Sequence, residues 1–302
     1  MDGIKLSIEE KAQELGFDGV FFVSKEGFDI GDSGLKNPED VLLGTRCVIL
    51  LIKRYRLYAF YPDGVAPYSP YYFSSNAGYH GAAGLAQYIR DAGFDAVSSG
   101  AIPQKAALQR AGADIGLNTL AYMEGIGSLF SISSIVTDAC GPLEYEGKKL
   151  CAGCGRCVKS CPVGALGDGA DINNCIRAAM NNPFFDGAAR DKMAKILGCD
   201  ICQQVCPLNK EHIGLPDKDE ANMFCYSSLL SGEASKTLRR FIGRNMAGRR
   251  RLLSQGAVCA ANNGHSAALA DIGRLTLDND AAVAFQASWA KERLGAKGKS
   301  GH

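Results

Sequence analysis

The chain has 302 residues, 46% of them hydrophobic, with 33 Lys and Arg against 32 Asp and Glu. That length suits one large domain or two ordinary ones, and the near-neutral balance points to no class of charged partner. No run has the length of a membrane span and the first residues lack the charged and apolar regions of a signal peptide, so the reading is a soluble, cytoplasmic protein without membrane attachment.

Taken in chain order, Ser7–Leu15 reads as an amphipathic helix with Ser7 as N-cap and Glu10 three residues later, a capping-box arrangement. Gly16 closes it and Val20–Val23 follows as a strand. The design recurs at Gly84–Ala92, where a helix runs into Gly93-Phe94-Asp95 and a short strand. Gly16-Phe17-Asp18 is the matching hinge, which hints at an internal repeat. Cys47–Ile52 and Leu129–Val136 add strands, and the expected N-terminal architecture is an α/β layered domain over residues 1–145. Within it, residues 54–80 crowd Tyr55, Tyr58, Tyr61, Tyr68, Tyr71, Tyr72 and Tyr79 among Pro and Gly. This reads as a loop whose rings either pack on the domain or wall a flat ligand. From Ser228 the sequence turns helical, with helices over 252–261 and 266–275 and a third after Asp280. Paired short helices of this kind suggest a HEAT-like region over 216–296. Residues 297–302 are expected to be a disordered tail.

The twelve cysteines decide the chemistry. Cytosolic cysteines in dense array indicate metal more than disulfides. Cys47, Cys140, Cys225 and Cys259 stand apart and read as ordinary small buried residues. The rest lie between 151 and 206. Cys151, Cys154, Cys157 and Cys161-Pro162 have the C-x2-C-x2-C-x3-C-P spacing of a bacterial ferredoxin, in which the fourth cysteine serves the other cluster. Cys199, Cys202 and Cys206-Pro207 match the last three positions of the same pattern, and Cys175 supplies the missing one. One [4Fe–4S] cluster then takes Cys151, Cys154, Cys157 and Cys206; the other takes Cys175, Cys199, Cys202 and Cys161. Two four-thiolate zinc sites would explain the CxxC elements but not the full run. The expected domain is a ferredoxin-like double-cluster insertion over 146–215, two clusters in series passing single electrons.

Beyond the spacing, the double run with its lone Cys175 and the stretch Gly198-Cys199-Asp200-Ile201-Cys202-Gln203-Gln204-Val205-Cys206-Pro207 resembles the epoxyqueuosine reductase family. Ala111-Gly112 before Ile115-Gly116-Leu117-Asn118-Thr119-Leu120 resembles it too, as do Gly127-Ser128 leading to Thr137-Asp138, and Arg250-Arg251-Leu252-Leu253 running into Gly256-Ala257-Val258. The resemblance implies a cobalamin bound by the N-terminal domain, reduced by the clusters and used to deoxygenate epoxyqueuosine in tRNA or to reduce a small molecule. Reductive dehalogenases share this plan. It also implies a low-potential donor such as ferredoxin or flavodoxin. The other reading is an electron-transfer or corrinoid-activating protein without substrate chemistry of its own.

Three departures from that family are visible. Where it has an acid in an Asp-Ser-Ala-Pro segment, this chain has Ser99-Gly100-Ala101-Ile102-Pro103. Ala113-Asp114-Ile115-Gly116 shortens a glycine-tryptophan element, and Gly78-Tyr79-His80 replaces Asp-Tyr-His. Asp114 and His80 are therefore the candidates for delivering a proton, His80 also having the plain reading of a structural histidine. Gly116 and Gly127 imply a close approach or a sharp turn. Asn118, Thr119 and Ser128 offer hydrogen bonds to the amide arms of a corrin, or simply close turns. No Asp-x-His-x-x-Gly motif is present, so no lower cobalt ligand is expected from this chain. Lys236, Arg239, Arg240, Arg244, Arg249, Arg250 and Arg251 form a basic stretch suited to a tRNA backbone or to a solvated helix face, with Glu211, Asp217, Asp219, Glu220 and Glu233 near enough in sequence to offset it.

Overall fold

The computed structural model describes residues 2–28, 30, 34–167 and 169–299. The chain divides into two compact units, Met1–Tyr55 with Phe73–Cys154, and Arg56–Tyr72 with Gly155–His302. This differs from the three-part division expected from sequence. The second unit takes the tyrosine segment because Leu57–Tyr58 pairs in parallel with Ile213–Gly214 and Tyr68 bridges Ile196.

In the first unit α1 (Asp2–Glu14) leads to β1 (Gly19–Val23) and β2 (Cys47–Arg54), followed by α2 (Tyr71–Asp91), β3 (Ala96–Ser98) and α3 (Gln104–Arg110). A two-residue hairpin, β4 (Asp114–Ile115) with β5 (Ala121–Tyr122), precedes the long β6 (Phe130–Thr137). The main sheet has the order β1-β2-β6-β3 and every pair is antiparallel. The expected α/β layers are therefore present, built on an antiparallel sheet. Alternation along β2 explains the layers: Cys47, Ile49 and Leu51 face α1 and α2, while Val48, Leu50 and Ile52 face α3.

Both Gly-Phe-Asp hinges are helix stops of one kind. Gly16 and Gly93 sit at φ 77° and 90°, and the N–H groups of Phe17 and Phe94 reach back to Ala12 O and Ile89 O. Those bonds satisfy carbonyls that the helix end would otherwise orphan. Two expectations fail. The helix starts at Asp2, so Ser7 is internal and its hydroxyl meets that of Tyr88 instead of capping. Residues 71–80, expected in a loop, are the first half of α2.

In the second unit α4 (Arg156–Ser160), α5 (Ile176–Ala179) and α6 (Ile201–Gln204) carry or flank the cysteines, and α7 (Arg249–Asn262) and α8 (Leu269–Leu275) both pack on α9 (Ala281–Lys299). The last helix runs to Lys299, into the stretch expected to be disordered; residues 300–302 lie outside the described residues. Among the described residues, no helix is long and apolar enough to cross a membrane.

Two members of the basic stretch pair with acids not named from the sequence. Arg249 forks onto Asp278 at 3.1 and 2.6 Å, and Arg250 donates to Asp280 at 2.5 Å. Those bonds hold both carboxyls below the usual carboxylate range. The stabilisation is present above about pH 4, their unfolded value, and fades as pH falls through the lower folded one. Asp280 also caps α9 by accepting the N–H groups of Ala282 and Val283. Asp280→Ala is expected to cost about 1 kcal/mol in urea unfolding, and Asp280→Asn less, since asparagine keeps the cap.

Candidate cluster and cofactor sites

The segment leading to Cys151 is laid against the first unit's sheet. Leu143 donates its N–H to Phe22 O, the Phe22 N–H donates to the Tyr145 hydroxyl at 2.9 Å, and Tyr145 meets Phe21 edge-on. Gly112 allows the next residues to pass. Its φ is 88°, and a Cβ there would stand 2.9 Å from Glu146 O. Asp114 then accepts the N–H groups of Leu150 and Cys151 at 2.8 and 2.7 Å. The carboxylate offered by sequence as a proton source is thus bound to the backbone that presents the first cysteine. Gly153 and Gly155, at φ 68° and 69°, turn the chain on either side of Cys154.

The remaining cysteines lie at helix ends of the second unit. Cys157 lies in the first turn of α4 and Cys161 closes it, Cys175 precedes α5, Cys199 and Cys202 flank the start of α6, and Cys206 follows its end. Helices α4 and α6 pack together. Burial pushes the Cys199 thiol up to about 11; Asp200, Cys175 and Cys161 add to this, and the Ile201 N–H opposes it. Cys161, Cys175 and Cys199 are therefore electrostatic neighbours, and the Ala165 N–H points at Cys161 Sγ from 3.2 Å. Such donors tune iron–sulfur potentials. Among the described residues, no three His, Cys, Asp or Glu side chains are gathered about a single metal ion. A cubane, with an iron at each corner, needs its thiolates farther apart than one zinc does. No disulfide joins any of the eight cysteines, and none is fully buried.

Behind Cys199 lies a support that sequence reading missed. Leu197 is buried in the left-handed region at φ 64°, a conformation that costs a leucine about 1–2 kcal/mol. Its N–H donates to Gln255 Oε1 at 2.8 Å. Asp200 is buried, accepts the Ser69 hydroxyl at 3.0 Å and faces Lys195 at 3.5 Å, an ion pair without a hydrogen bond. Burial raises its pKa. Gly198 has no room for a side chain, since a Cβ would stand 2.8 Å from Ser69 Cβ. Gly198→Ala is expected to cost about 1–3 kcal/mol and to lower iron incorporation on reconstitution, measured by thermal unfolding and iron assay.

The expected corrin contacts gather in the first unit, on and just after the β4–β5 hairpin, but most are internally engaged. Asn118 is buried and donates to the Tyr122 hydroxyl at 2.9 Å. A Cβ on Gly116 would collide with the Tyr122 ring, Gly127 exchanges backbone bonds with Met123, and Ser128 is buried. Thr119 is held at φ 60°, unusual for a β-branched residue, with Lys105 donating to its carbonyl at 2.6 Å. Thr119 and the exposed Leu117 are what this hairpin can present to a ligand. His80 is exposed on α2 with the Tyr79 ring edge-on beside it.

In the second unit Tyr58, Tyr61 and Tyr68 pack edge-on, and the hydroxyls of Tyr58 and Tyr68 both donate to Glu220 Oε1 at 2.9 and 2.8 Å. These rings are packed on the fold, not arrayed as a wall over a ligand. Cys47, Cys140 and Cys259 are buried as expected, Cys225 only partly, and Cys47 and Cys140 touch through sulfur at 3.1 Å.

Layered helices on an antiparallel sheet, followed by a doubled cysteine run at helix ends, define an iron–sulfur protein of the double-cluster class. Residues 150–209, which hold all eight cysteines, match the family described as the 4Fe-4S double cluster binding domain. In part of its sequence and in fold over nearly its whole length, the chain is similar to epoxyqueuosine reductases. It is 33% identical over 119 residues to an epoxyqueuosine reductase of Bacillus cereus, covering 38% of this chain and 31% of the relative. A match to that of Xanthomonas campestris is 29% identical over 215 residues, 66% of this chain and 60% of the relative. The chain thus aligns with about a third of the length of the first of these relatives and less than two thirds of the second. Solved epoxyqueuosine reductases share the fold: that of Streptococcus thermophilus at TM-score 0.81 and 20% identity, that of Bacillus subtilis at 0.79 and 18%, each over 97% of this chain and 90% of the other. Another, at 0.78 and 17% over the same shares, is a complex with an epoxyqueuosine-modified tRNA-Tyr stem loop.

Proposed function

We propose that this chain is a cytoplasmic, cobalamin-dependent reductase that removes the epoxide oxygen from epoxyqueuosine in tRNA. The observation that carries this is the eight-cysteine double-cluster segment within a fold matched over 97% of the chain by epoxyqueuosine reductases. The reaction takes two electrons and two protons, breaks both epoxide C–O bonds and releases water. Two clusters in series accept those electrons singly from a low-potential donor such as ferredoxin or flavodoxin, and iron–sulfur centres reach down to about −700 mV. The corrinoid, when bound, supplies a strongly reducing cobalt centre.

The chain's own residues divide the remaining work. Cys151, Cys154, Cys157 and Cys206 hold one cluster; Cys175, Cys199, Cys202 and Cys161 hold the other. Thr119 and Leu117, with the hairpin backbone around Gly116 and Gly127, would hold the corrin from the first unit, while Asn118 and the buried Ser128 would support that backbone from within. His80 delivers a proton, since its exposed ring is free to do so, and Asp114 fixes the approach to Cys151. Anaerobic incubation of the reconstituted chain with cobalamin, a low-potential donor and epoxyqueuosine-containing tRNA should yield queuosine. Retained corrinoid and reducible clusters without queuosine would move the assignment to a small-molecule substrate.

A further inference from the structure

The N-terminus of α7 opens into a pocket of about 230 Å³ in the second unit. Gly248, Arg250, Arg251, Ser254, Asn181 and Asn182 are among the residues that line it, and no acid lines it. Gly248 caps the helix without a side-chain bond, so the first helical turn keeps the unpaired N–H groups and positive field of a 14-residue helix end. Inside the pocket Ser254 is 2% exposed and its Oγ has no hydrogen-bond partner. A buried hydroxyl left unsatisfied is destabilising, and a ligand oxygen in the pocket would satisfy it.

The charges point to the sign of that ligand. Arg250 is engaged with Asp280, but Arg251 donates only to the Met180 carbonyl, at 3.2 Å. Arg177 stands close enough for the two guanidiniums to repel, and it spends its own hydrogen bond on Asn181. Both cations are partly buried; Asp200 acts on Arg177, and an anion beside Arg251 would offset the second charge. A tetrahedral oxyanion suits the arrangement, since it accepts from helix N–H groups, a guanidinium fork and a hydroxyl together.

We propose that this pocket is an anion site of phosphate chemistry, held by the Arg251 guanidinium, the Ser254 hydroxyl and the first-turn N–H groups of α7. The source is either free phosphate or a phosphodiester of a bound nucleic acid. The site stands apart from the reductase reading, because inorganic phosphate tests it without cobalamin, donor or modified tRNA.

The cluster-loaded chain is titrated with inorganic phosphate by calorimetry at ionic strength fixed with chloride. Saturable binding is expected, weakened at least about tenfold in Arg251→Gln by loss of a charge-assisted bond, and about threefold in Ser254→Ala. Ser254→Ala keeps the helix and decides the matter should Arg251→Gln fail to fold. A labelled RNA stem-loop, followed by anisotropy, identifies the source. RNA binding that phosphate competes and both variants weaken makes the ligand a backbone phosphate; RNA binding indifferent to the variants, with phosphate binding intact, makes it the free anion. Phosphate binding that is absent, unsaturable or unchanged in the variants overturns the proposal.

Discussion

Cys175→Ala is expected to cut bound iron from about eight atoms per reconstituted chain to about four and to abolish turnover. Cys175 is the one ligand outside the two tight runs, placed at the start of α5 and an electrostatic neighbour of Cys199. Removing it leaves three thiolates for the second cubane and leaves the other set of four whole. EPR of the reduced variant should therefore show a single cluster signal without the coupling expected of two neighbouring ones. Cys225→Ala is the control. That thiol is equally free and also partly exposed, but it belongs to neither set, so its loss should leave the iron content unchanged. A Cys175→Ala chain that keeps all its iron would mean that the ligand sets are drawn wrongly.

Asp114→Ala is expected to lower stability by about 2–4 kcal/mol and to reduce iron incorporation, because two partly buried N–H groups lose a charged acceptor. The bonds to Leu150 and Cys151 place this carboxylate at the entry to the first cysteine run. Asp114→Asn keeps one acceptor oxygen and should lose less. A proton donor would behave otherwise: stability and iron would stay as in the wild type while turnover alone fell. His80→Asn is expected to show that second pattern, slowing turnover by about a hundredfold or more with both clusters intact. Urea unfolding, iron assay and single-turnover rates on the two variants separate an anchor from an acid.

What sequence disclosed, and what it hid, follows from where each signal resides. Cluster ligation is written in spacing, because a short loop must wrap several corners of one cubane, so the double-cluster segment was legible from its cysteines. The Gly-Phe-Asp stops were legible for a similar reason: the bonds from Phe17 and Phe94 are local. The first half of α2 was not. Its inward stripe is Ser74, Gly78, Gly81 and Ala82 in place of large apolar residues, and Ser74 binds Lys53 O and Ser131 Oγ. Glycine permits that close approach, since a Cβ at Gly81 would stand 2.9 Å from the Phe17 ring. A helix that packs through small and polar residues leaves little apolar periodicity to read. The support behind Cys199 was hidden for another reason. Leu197, Gln255, Ser69 and Asp200 come from distant stretches, and nothing local marks a leucine held at positive φ by a glutamine 58 residues later. The basic stretch was visible in sequence, but the pairing of Arg249 and Arg250 with Asp278 and Asp280 depends on how α7 meets the turn before α9.

The most direct test is to purify the chain anaerobically, rebuild its clusters, add hydroxocobalamin, and follow the visible spectrum and EPR through a dithionite titration. The account predicts one corrinoid retained per chain, base-off, and reduced alongside two clusters. Two reducible clusters with no corrinoid retained would contradict it, and would make the chain an electron carrier for another protein.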